Sequence, residues 1–306
     1  MTSVLSSFAP APLHRFWVFS DLQQSDPANA RKCMHAGVDD FLSLALHVDA
    51  VCYLGDSTEG CDLGHLSAMA DMQVEELGRV DAPIYYVMGN HEFDFHRHAE
   101  SSNALTIPMR DRVLREPQWH TTRSPLDWML RADFGDLSLV LLSDRCDPAD
   151  RTWVTSHCNV RTVGDASPPD HDFEADAAAV RAEMESIDVP FFTLSHYAFP
   201  GGNRDDEGGL QEKLLPLPRN AVAHFYGHSH FGDAIWGKKN LYRQVSTVNW
   251  STVTQFDIAS LEDIRSDAIR SAVVEWYGGR SFGVFFRNHS ARAWSKAVLE
   301  NVPPKA

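Results

Sequence analysis

Five short apolar runs of this sequence are each followed by side chains that can bind a metal. These side chains are Asp21 and Gln23, Asp56, Asn90 and His91, His196, and His228 and His230. Carboxylate and amide oxygens mixed with imidazole nitrogens suit borderline divalent metals such as manganese, iron or zinc. The set contains no cysteine, so a structural zinc site is not predicted.

Two pairs in this set are separated by a single residue. Extended backbone alternates its side chains between two faces, so we expect His228 and His230 to project the same way. The same spacing puts Asp21 and Gln23 on one side. Two metal ions a few ångströms apart, bridged by one carboxylate and one hydroxide, form a clamp for attack on a phosphoryl centre.

The apolar runs predict the strands that position these side chains. They are short, rich in β-branched and aromatic residues and apolar on both faces, as buried strands are. The runs span residues 15–20, 50–55, 83–88, 137–143, 190–195 and 221–227. Helical patterns lie between them at 28–48, 63–80 and 172–187. Strands alternating with helices favour an α/β fold with right-handed crossovers, in which ligands bind at the carboxyl ends of the strands.

The remaining segments predict additions to this framework. Residues 93–135 are less regular and are expected to form a cap-like insertion over the site. After residue 240 the pattern becomes β-rich, with a helix around 261–271 and a hairpin about Gly278-Gly279. We expect a second sheet packed on the first. The chain is therefore interpreted as a single domain, 1–306, with a β-rich C-terminal extension at 251–306.

Composition limits the kinds of partner. Asp and Glu number 42 against 27 Lys and Arg, which gives a net charge of −15 in 306 residues. A chain this acidic repels a phosphate backbone, so nucleic-acid binding is not expected. Five scattered cysteines without a CxxC pair, no signal-like N-terminal segment and no apolar run of about 18 residues predict a cytoplasmic protein without a membrane span. The oligomeric state is not predicted by the sequence.

In chain order, the motifs Asp21-Leu22-Gln23, Gly55-Asp56, Gly89-Asn90-His91-Glu92, His196 and Gly227-His228-Ser229-His230 resemble those of the calcineurin-like metallophosphoesterase family. The resemblance covers residues 21 to 230. It implies a four-layer α/β/β/α sandwich with two mixed sheets. It also implies hydrolysis of a small phosphorylated substrate, at a phosphodiester or diphosphate bond, by a hydroxide that bridges two divalent metal ions.

The resemblance assigns roles residue by residue. It implies that Asp21, Gln23, Asp56 and His230 bind the first metal and that Asp56, Asn90, His196 and His228 bind the second. Asp56 would bridge the two ions. His91 would lie beside the substrate, stabilise the phosphoryl charge and assist the leaving oxygen. Glu59, three residues after Asp56, would pair with His91 and orient it.

This sequence departs from most of the family at Gln23, where the others have histidine. An amide oxygen is a neutral, hard ligand, so we expect a weaker first site that favours manganese or ferrous iron, with zinc left open. The Asp21-x-Gln23 pattern with Gly89-Asn90-His91-Glu92-Phe93 is similar to the manganese-dependent ADP-ribose/CDP-alcohol diphosphatases of the family. The alternative to an active phosphoesterase is a weakly active or inactive member of the family that serves as a scaffold or binding protein.

Two further segments have open interpretations. His96 and His98 follow Phe93 closely and belong either to a solvated loop or to the substrate pocket. The stretch 201–209, rich in glycine and acids, is either a surface loop or a lid in which Arg204 reaches a phosphate.

Overall fold

The strands and helices of this protein come from a computed structural model, which describes residues 10–59, 63–89, 91–93, 108–122, 127–143, 146–147, 152–153, 173–200, 210–230, 242–246, 252–258, 260–266 and 268–302. The strands are β1 (His14–Phe19), β2 (Ala50–Tyr53), β3 (Ile84–Tyr86), β4 (Trp119–His120), β5 (Met129–Asp133), β6 (Ser138–Leu142), β7 (Cys146–Asp147), β8 (Thr152–Trp153), β9 (Phe191–Ser195), β10 (Ala221–Tyr226), β11 (Tyr242–Ser246), β12 (Thr252–Asp257), β13 (Arg270–Gly278), β14 (Ser281–Asn288) and β15 (Ala293–Glu300). The helices are α1 (Pro27–Ser43), α2 (Leu63–Leu77), α3 (Pro108–Val113), α4 (Phe173–Glu185) and α5 (Leu210–Lys213), and a 3-10 turn spans His91–Phe93. These bounds confirm the six predicted strands and the three predicted helices.

Two mixed sheets form the centre of the molecule. Sheet A has the strand order β15-β14-β13-β1-β2-β3-β4, and sheet B has the order β11-β12-β10-β9-β6-β5. In sheet A the strands from β1 to β4 are parallel, whereas β13 pairs with β1 in antiparallel register. In sheet B, β6, β9, β10 and β12 run parallel and the edge strands are antiparallel. Strands β7 and β8 pair with each other.

Alternating side chains of the strands separate three apolar cores. Trp17 of β1 faces α1, where its ring stacks on Phe41 with centroids 4.1 Å apart. Its neighbour Phe16 faces the other way, into the core between the two sheets. In sheet B, Val140 of β6 faces α4. The layers are therefore α1 with α2, sheet A, sheet B and α4, which confirms the predicted four-layer α/β/β/α sandwich.

The C-terminal extension belongs to both sheets. Strand β12 lies in sheet B, and β13 lies directly beside β1 in sheet A. The hairpin predicted about Gly278 and Gly279 is confirmed, because both glycines have positive φ between β13 and β14. The described parts of the predicted insertion at 93–135 also join the sheets, since β4 and β5 are edge strands. Residues 94–107 and 123–126 lie outside the described part, so a cap over the site stays a prediction.

The prediction of a helix around residues 261–271 is wrong. Residues 260–266 and 268–269 are irregular, and β13 begins at Arg270. The Glu262 carboxylate accepts the backbone N–H groups of Ile264, Arg265 and Ser266. A side chain that binds the backbone locally in this way competes with helix formation.

None of the helices in the described ranges is long and apolar enough to cross a membrane.

Candidate metal centre

The carboxyl ends of the parallel strands in both sheets meet at one edge of the sandwich. The loops after β1 and β2 come from sheet A, and those after β9 and β10 come from sheet B. Two contacts join them: Nδ1 of His196 lies 2.8 Å from the Leu54 carbonyl oxygen, and the His228 backbone N–H donates to Oδ2 of Asp21 at 2.8 Å. Ligand-binding side chains from distant parts of the sequence are thereby brought into one small volume.

Five of these side chains form two groups that share one carboxylate. Asp56, His196 and His228 form one group, and Asp21, Asp56 and His230 form the other. Within each group the potential ligand atoms lie within 4.8 Å of one another. This division matches the assignment that the resemblance implied, with Asp56 between the two positions. The ligand roles themselves stay predictions.

The oxygen atoms that face these groups fit a cation. Oδ1 of Asp21 and Oδ2 of Asp56 are buried and have no hydrogen-bond partner in the described part of the chain. Yet Nε2 of His230 lies 3.1 Å from the first and Nε2 of His196 lies 3.0 Å from the second. A buried carboxylate is costly in free energy unless a positive charge lies beside it. Either a proton on each imidazole or a divalent ion between the oxygen and nitrogen atoms would supply that charge, and the donor set suits manganese, iron or zinc.

The imidazoles and the carboxylates of the two groups shift one another's pKa values. Burial alone would lower the pKa of His196, but the carboxylates of Asp56 and Asp21 outweigh burial and raise the pKa to about 10. His230 behaves similarly, because burial lowers its pKa while Asp21 and Glu262 raise it to about 9. Burial alone would raise the pKa of Asp56, whereas the neighbouring histidines hold it well below its usual range. A bound cation would replace these protons, since imidazole binds metals in its neutral form.

The backbone at this edge is left-handed at four non-glycine residues. Asp21, Asp56, His228 and His230 have φ values of 56°, 50°, 66° and 50°. Such conformations cost free energy and occur mainly where the surrounding structure imposes them at functional sites. The period-two argument for His228 and His230 assumed extended backbone, and these φ values show that this premise is wrong. The two imidazoles belong to different ligand groups, as the resemblance implied.

Two motif glycines allow the loops to approach each other closely. A Cβ atom at Gly89 would lie 2.5 Å from Oδ1 of Asp56. At Gly227 a Cβ atom would lie 1.9 Å from Oγ of Ser20 and 2.5 Å from Oδ2 of Asp21. Any side chain at either position would displace a candidate ligand carboxylate.

Glu92 anchors the loop that carries Asp56. Its buried carboxylate accepts the backbone N–H groups of Asp56 at 3.0 Å, Ser57 at 2.6 Å and Gly89 at 2.5 Å. Burial and the nearby Asp56 charge raise the pKa of Glu92. Sequence reasoning treated Glu92 only as part of a motif and gave it no role. The structure shows that it ties the loop after β2 to the loop after β3.

His91 and Gln23 lie beside the two groups. The His91 backbone N–H donates to Oδ1 of Asp56 at 2.9 Å, and its imidazole is one of the charges that lower the pKa of Asp56. Gln23 is buried, and its backbone N–H donates to the Asp56 carbonyl oxygen at 3.1 Å. The amide of Gln23 as a ligand stays a prediction. Asn90, His96, His98 and Arg204 lie outside the described residues.

Glu59 has a partner that the resemblance did not imply. Its carboxylate pairs with the guanidinium of Arg265, and its pairing with His91 stays a prediction. Arg265 also donates from Nη1 to the Gln23 carbonyl oxygen at 2.8 Å. Sequence reasoning missed Arg265 and Glu262, because both fall in the segment that was expected to form a helix. The acidic and basic residues alone gave no signal that this segment approaches the site.

Comparisons with known proteins bear on the family and the fold. The model of the calcineurin-like phosphoesterase family matches residues 14–232. The structure is similar to a dimetal phosphatase from Danio rerio, with a TM-score of 0.61 at 12% identity over 94% of this chain and 98% of the other. It is also similar to a purple acid phosphatase from yellow lupin, with a TM-score of 0.58 at 11% identity over 95% of this chain and 54% of the other. At these identities the two structures support the fold alone. No curated protein sequence matches the chain.

Proposed function

The chain belongs to the calcineurin-like phosphoesterase family, and on that premise we propose that it hydrolyses a phosphodiester or diphosphate bond with two divalent metal ions. The observation that carries this proposal is the pair of ligand groups that share Asp56. Metal-dependent phosphoester hydrolysis is the general activity that family membership supports. The bond type, the two-metal arrangement and the substrate are our proposal.

The proposed ligands divide between the two positions. Asp21, Asp56 and His230 would hold one ion together with the Gln23 amide. Asp56, His196 and His228 would hold the other together with Asn90. When bound, two divalent ions activate water for attack on phosphorus and neutralise the charge that develops on the phosphoryl oxygens. We propose manganese or ferrous iron, since an amide oxygen is a harder ligand than imidazole.

The chain's own residues would orient this chemistry. Asp56 is fixed from two directions, by the His91 backbone N–H on its side chain and by Glu92 on its backbone N–H. The His91 side chain is partly exposed beside Asp56, and it would donate a proton to the leaving oxygen. The candidate ligands that the structure describes are buried, which would limit the access of solvent to the reaction centre.

We propose a small substrate with a diester or diphosphate linkage. Gln23 is the residue that favours this class, through the likeness to ADP-ribose and CDP-alcohol diphosphatases. The net charge of −15 disfavours a polyanionic substrate such as a nucleic acid. A free diphosphate conjugate carries fewer charges, and two bound cations would offset them.

The test is hydrolysis of bis(p-nitrophenyl) phosphate and ADP-ribose by metal-stripped protein that is refilled with Mn²⁺. We expect turnover that depends on added metal and that is lost in His230→Ala. His47→Ala is the matched control, because His47 is exposed and lies in neither ligand group. Two bound ions per chain without turnover of any phosphodiester, diphosphate or monoester would contradict the enzyme and favour the scaffold.

A further inference from the structure

Glu262 contacts a candidate metal ligand although it lies outside the family match. The match ends at residue 232, whereas Glu262 lies in the segment between β12 and β13. Its Oε1 atom lies 3.0 Å from Nδ1 of His230, and its side chain is completely buried. A buried carboxylate at this distance is a strong acceptor for an imidazole N–H.

The carboxylate of Glu262 is itself held in place. Oε2 accepts the backbone N–H of Ile264 at 2.7 Å and the amide of Gln24 at 3.1 Å. The backbone N–H groups of Arg265 and Ser266 donate to the same carboxylate. Its orientation is therefore set by the surrounding turn, so it can impose an orientation on the His230 ring.

The opposite side of the His230 ring faces the ligand group. Nε2 lies 3.1 Å from Oδ1 of Asp21. An imidazole that donates from Nδ1 keeps the lone pair on Nε2 for a metal, and a carboxylate partner makes that nitrogen a stronger ligand. We propose that Glu262 is a positioning residue that holds His230 in this orientation for a divalent cation. This inference rests on the proposed function in one respect, namely that a divalent cation binds at the group of Asp21, Asp56 and His230.

The two ligand groups differ in the acceptor that lies behind the histidine. In the group of His196, Nδ1 faces a neutral backbone carbonyl, that of Leu54. The group of His230 is the one to which the resemblance adds the neutral Gln23 amide in place of an imidazole. A carboxylate behind His230 would offset part of the ligand strength lost by that replacement. Arg265, in the same turn as Glu262, also holds the Gln23 carbonyl.

The experiment measures Mn²⁺ binding to the metal-stripped full chain by electron paramagnetic resonance, without any substrate. We expect Glu262→Ala to weaken binding of one of the two ions by about 10-fold to 100-fold. Glu262→Gln keeps a neutral acceptor, so a smaller loss is expected. Ile264→Ala is the control, because the Ile264 side chain is exposed in the same turn and its backbone N–H still donates to Glu262, so we expect unchanged affinity.

A second measurement tests whether Glu262 acts through His230. In a His230→Ala background, Glu262→Ala should cause no further loss of affinity, since the ring that it orients is gone. Unchanged affinity in both Glu262 variants, or equal and additive losses in the double variant, would overturn the proposal. So would equal losses in Glu262→Ala and Ile264→Ala, because the effect would then not depend on the Glu262 carboxylate.

The binding readout separates this inference from the proposed function. Lost affinity in Glu262→Ala without any hydrolysis by the wild-type chain would support the positioning role and contradict the enzyme. Hydrolysis together with unchanged affinity would overturn the positioning role alone. A wild-type chain that binds no Mn²⁺ would overturn both. If Glu262→Ala does not fold, Glu262→Gln decides the question, since the amide oxygen can still accept the backbone N–H groups.

Discussion

The carboxylate of Asp56 belongs to both ligand groups, so the geometry of the whole site depends on how this one residue is held. Its backbone is left-handed, its side chain accepts the His91 backbone N–H, and its own N–H donates to Glu92. All of these restraints come from the main chain or from a buried acid. Substitution of a neighbouring side chain that makes none of them should therefore change the chemistry without moving Asp56.

His91 allows this argument to be tested. His91→Ala keeps the backbone N–H that binds Asp56, so metal content should stay normal. Loss of a proton donor at the leaving oxygen should lower turnover by about 100-fold to 10,000-fold. The measurement is metal content by mass spectrometry together with turnover of bis(p-nitrophenyl) phosphate. A parallel fall of metal content and activity would show that the side chain is a ligand or a structural support, and the proton-donor role would be wrong.

Gln23 tests the choice of metal. Gln23→His replaces a neutral amide with an imidazole, which zinc prefers, so the first position should bind Zn²⁺ more tightly relative to Mn²⁺. Competition between the two ions, measured by the release of EPR-visible Mn²⁺, should show a shift of about 10-fold or more. Gln211→His is the matched control, because Gln211 of α5 is also buried but belongs to neither proposed ligand set. The same shift in both variants would remove Gln23 from the ligands.

At the scale of the elements, the sequence predicts those strands whose residues are apolar on both faces. The runs around Trp17, Cys52 and Leu141 are such strands, because each is buried by helices on one side and by the opposing sheet on the other. The site motifs follow directly from these strands. Glu262 and Arg265 could not be predicted, since they are brought to His230 and Gln23 only by the placement of β13 between β1 and β14.

The attachment of the C-terminal strands to α1 depends on a buried ion pair. Asp40 of α1 accepts two hydrogen bonds from Arg287 of β14, at 2.7 and 2.8 Å, and one from His289 at 2.8 Å. His289 also contacts Ser271, which accepts a hydrogen bond from Trp17. The network therefore links a helix to three strands of sheet A. No hydrogen bond recorded within the described ranges joins this network to the ligand groups, so we expect its effect to be on stability.

Asp40→Asn should lower the free energy of unfolding by about 3 kcal/mol at pH 7, because it leaves Arg287 buried without its anion. Burial alone would raise the pKa of Asp40, but Arg287 and His289 outweigh burial and lower it to about 2. The wild type therefore keeps this stabilisation above pH 3.8 and loses it as the pH falls toward 2. The difference between the two proteins in urea unfolding should shrink over that interval.

Asp39→Asn is the control for this experiment. Asp39 is the preceding residue of α1, is more than a third exposed and pairs with Arg79 at the surface. An exposed pair of this kind contributes about 0.5 kcal/mol. Equal destabilisation by the two substitutions would show that burial of the Asp40 pair has no special effect.

At the scale of the whole molecule, the candidate site lies where the two sheets meet, and the segment between β12 and β13 adds a contact to it. Sheet A supplies Asp21 and Asp56, sheet B supplies His196 and His230, and the turn before β13 supplies Glu262. A cation between the groups would therefore bind both sheets at once. The same ion that the chemistry requires would also stabilise the sandwich, because the unfolded chain does not hold these ligands together.

This predicts a metal-dependent melting temperature. A ligand at 100 times its dissociation constant adds about 2.7 kcal/mol to the free energy of unfolding for each site. For a chain of this size we expect Mn²⁺ to raise the melting temperature of the metal-stripped protein by roughly 5–10 °C, as measured by calorimetry. His230→Ala should lose about half of this increase, since Asp56, His196 and His228 still form the other group. His47→Ala should keep it all. An equal increase in wild type and His230→Ala would mean that the ion binds elsewhere and that the two sheets are not joined through this site.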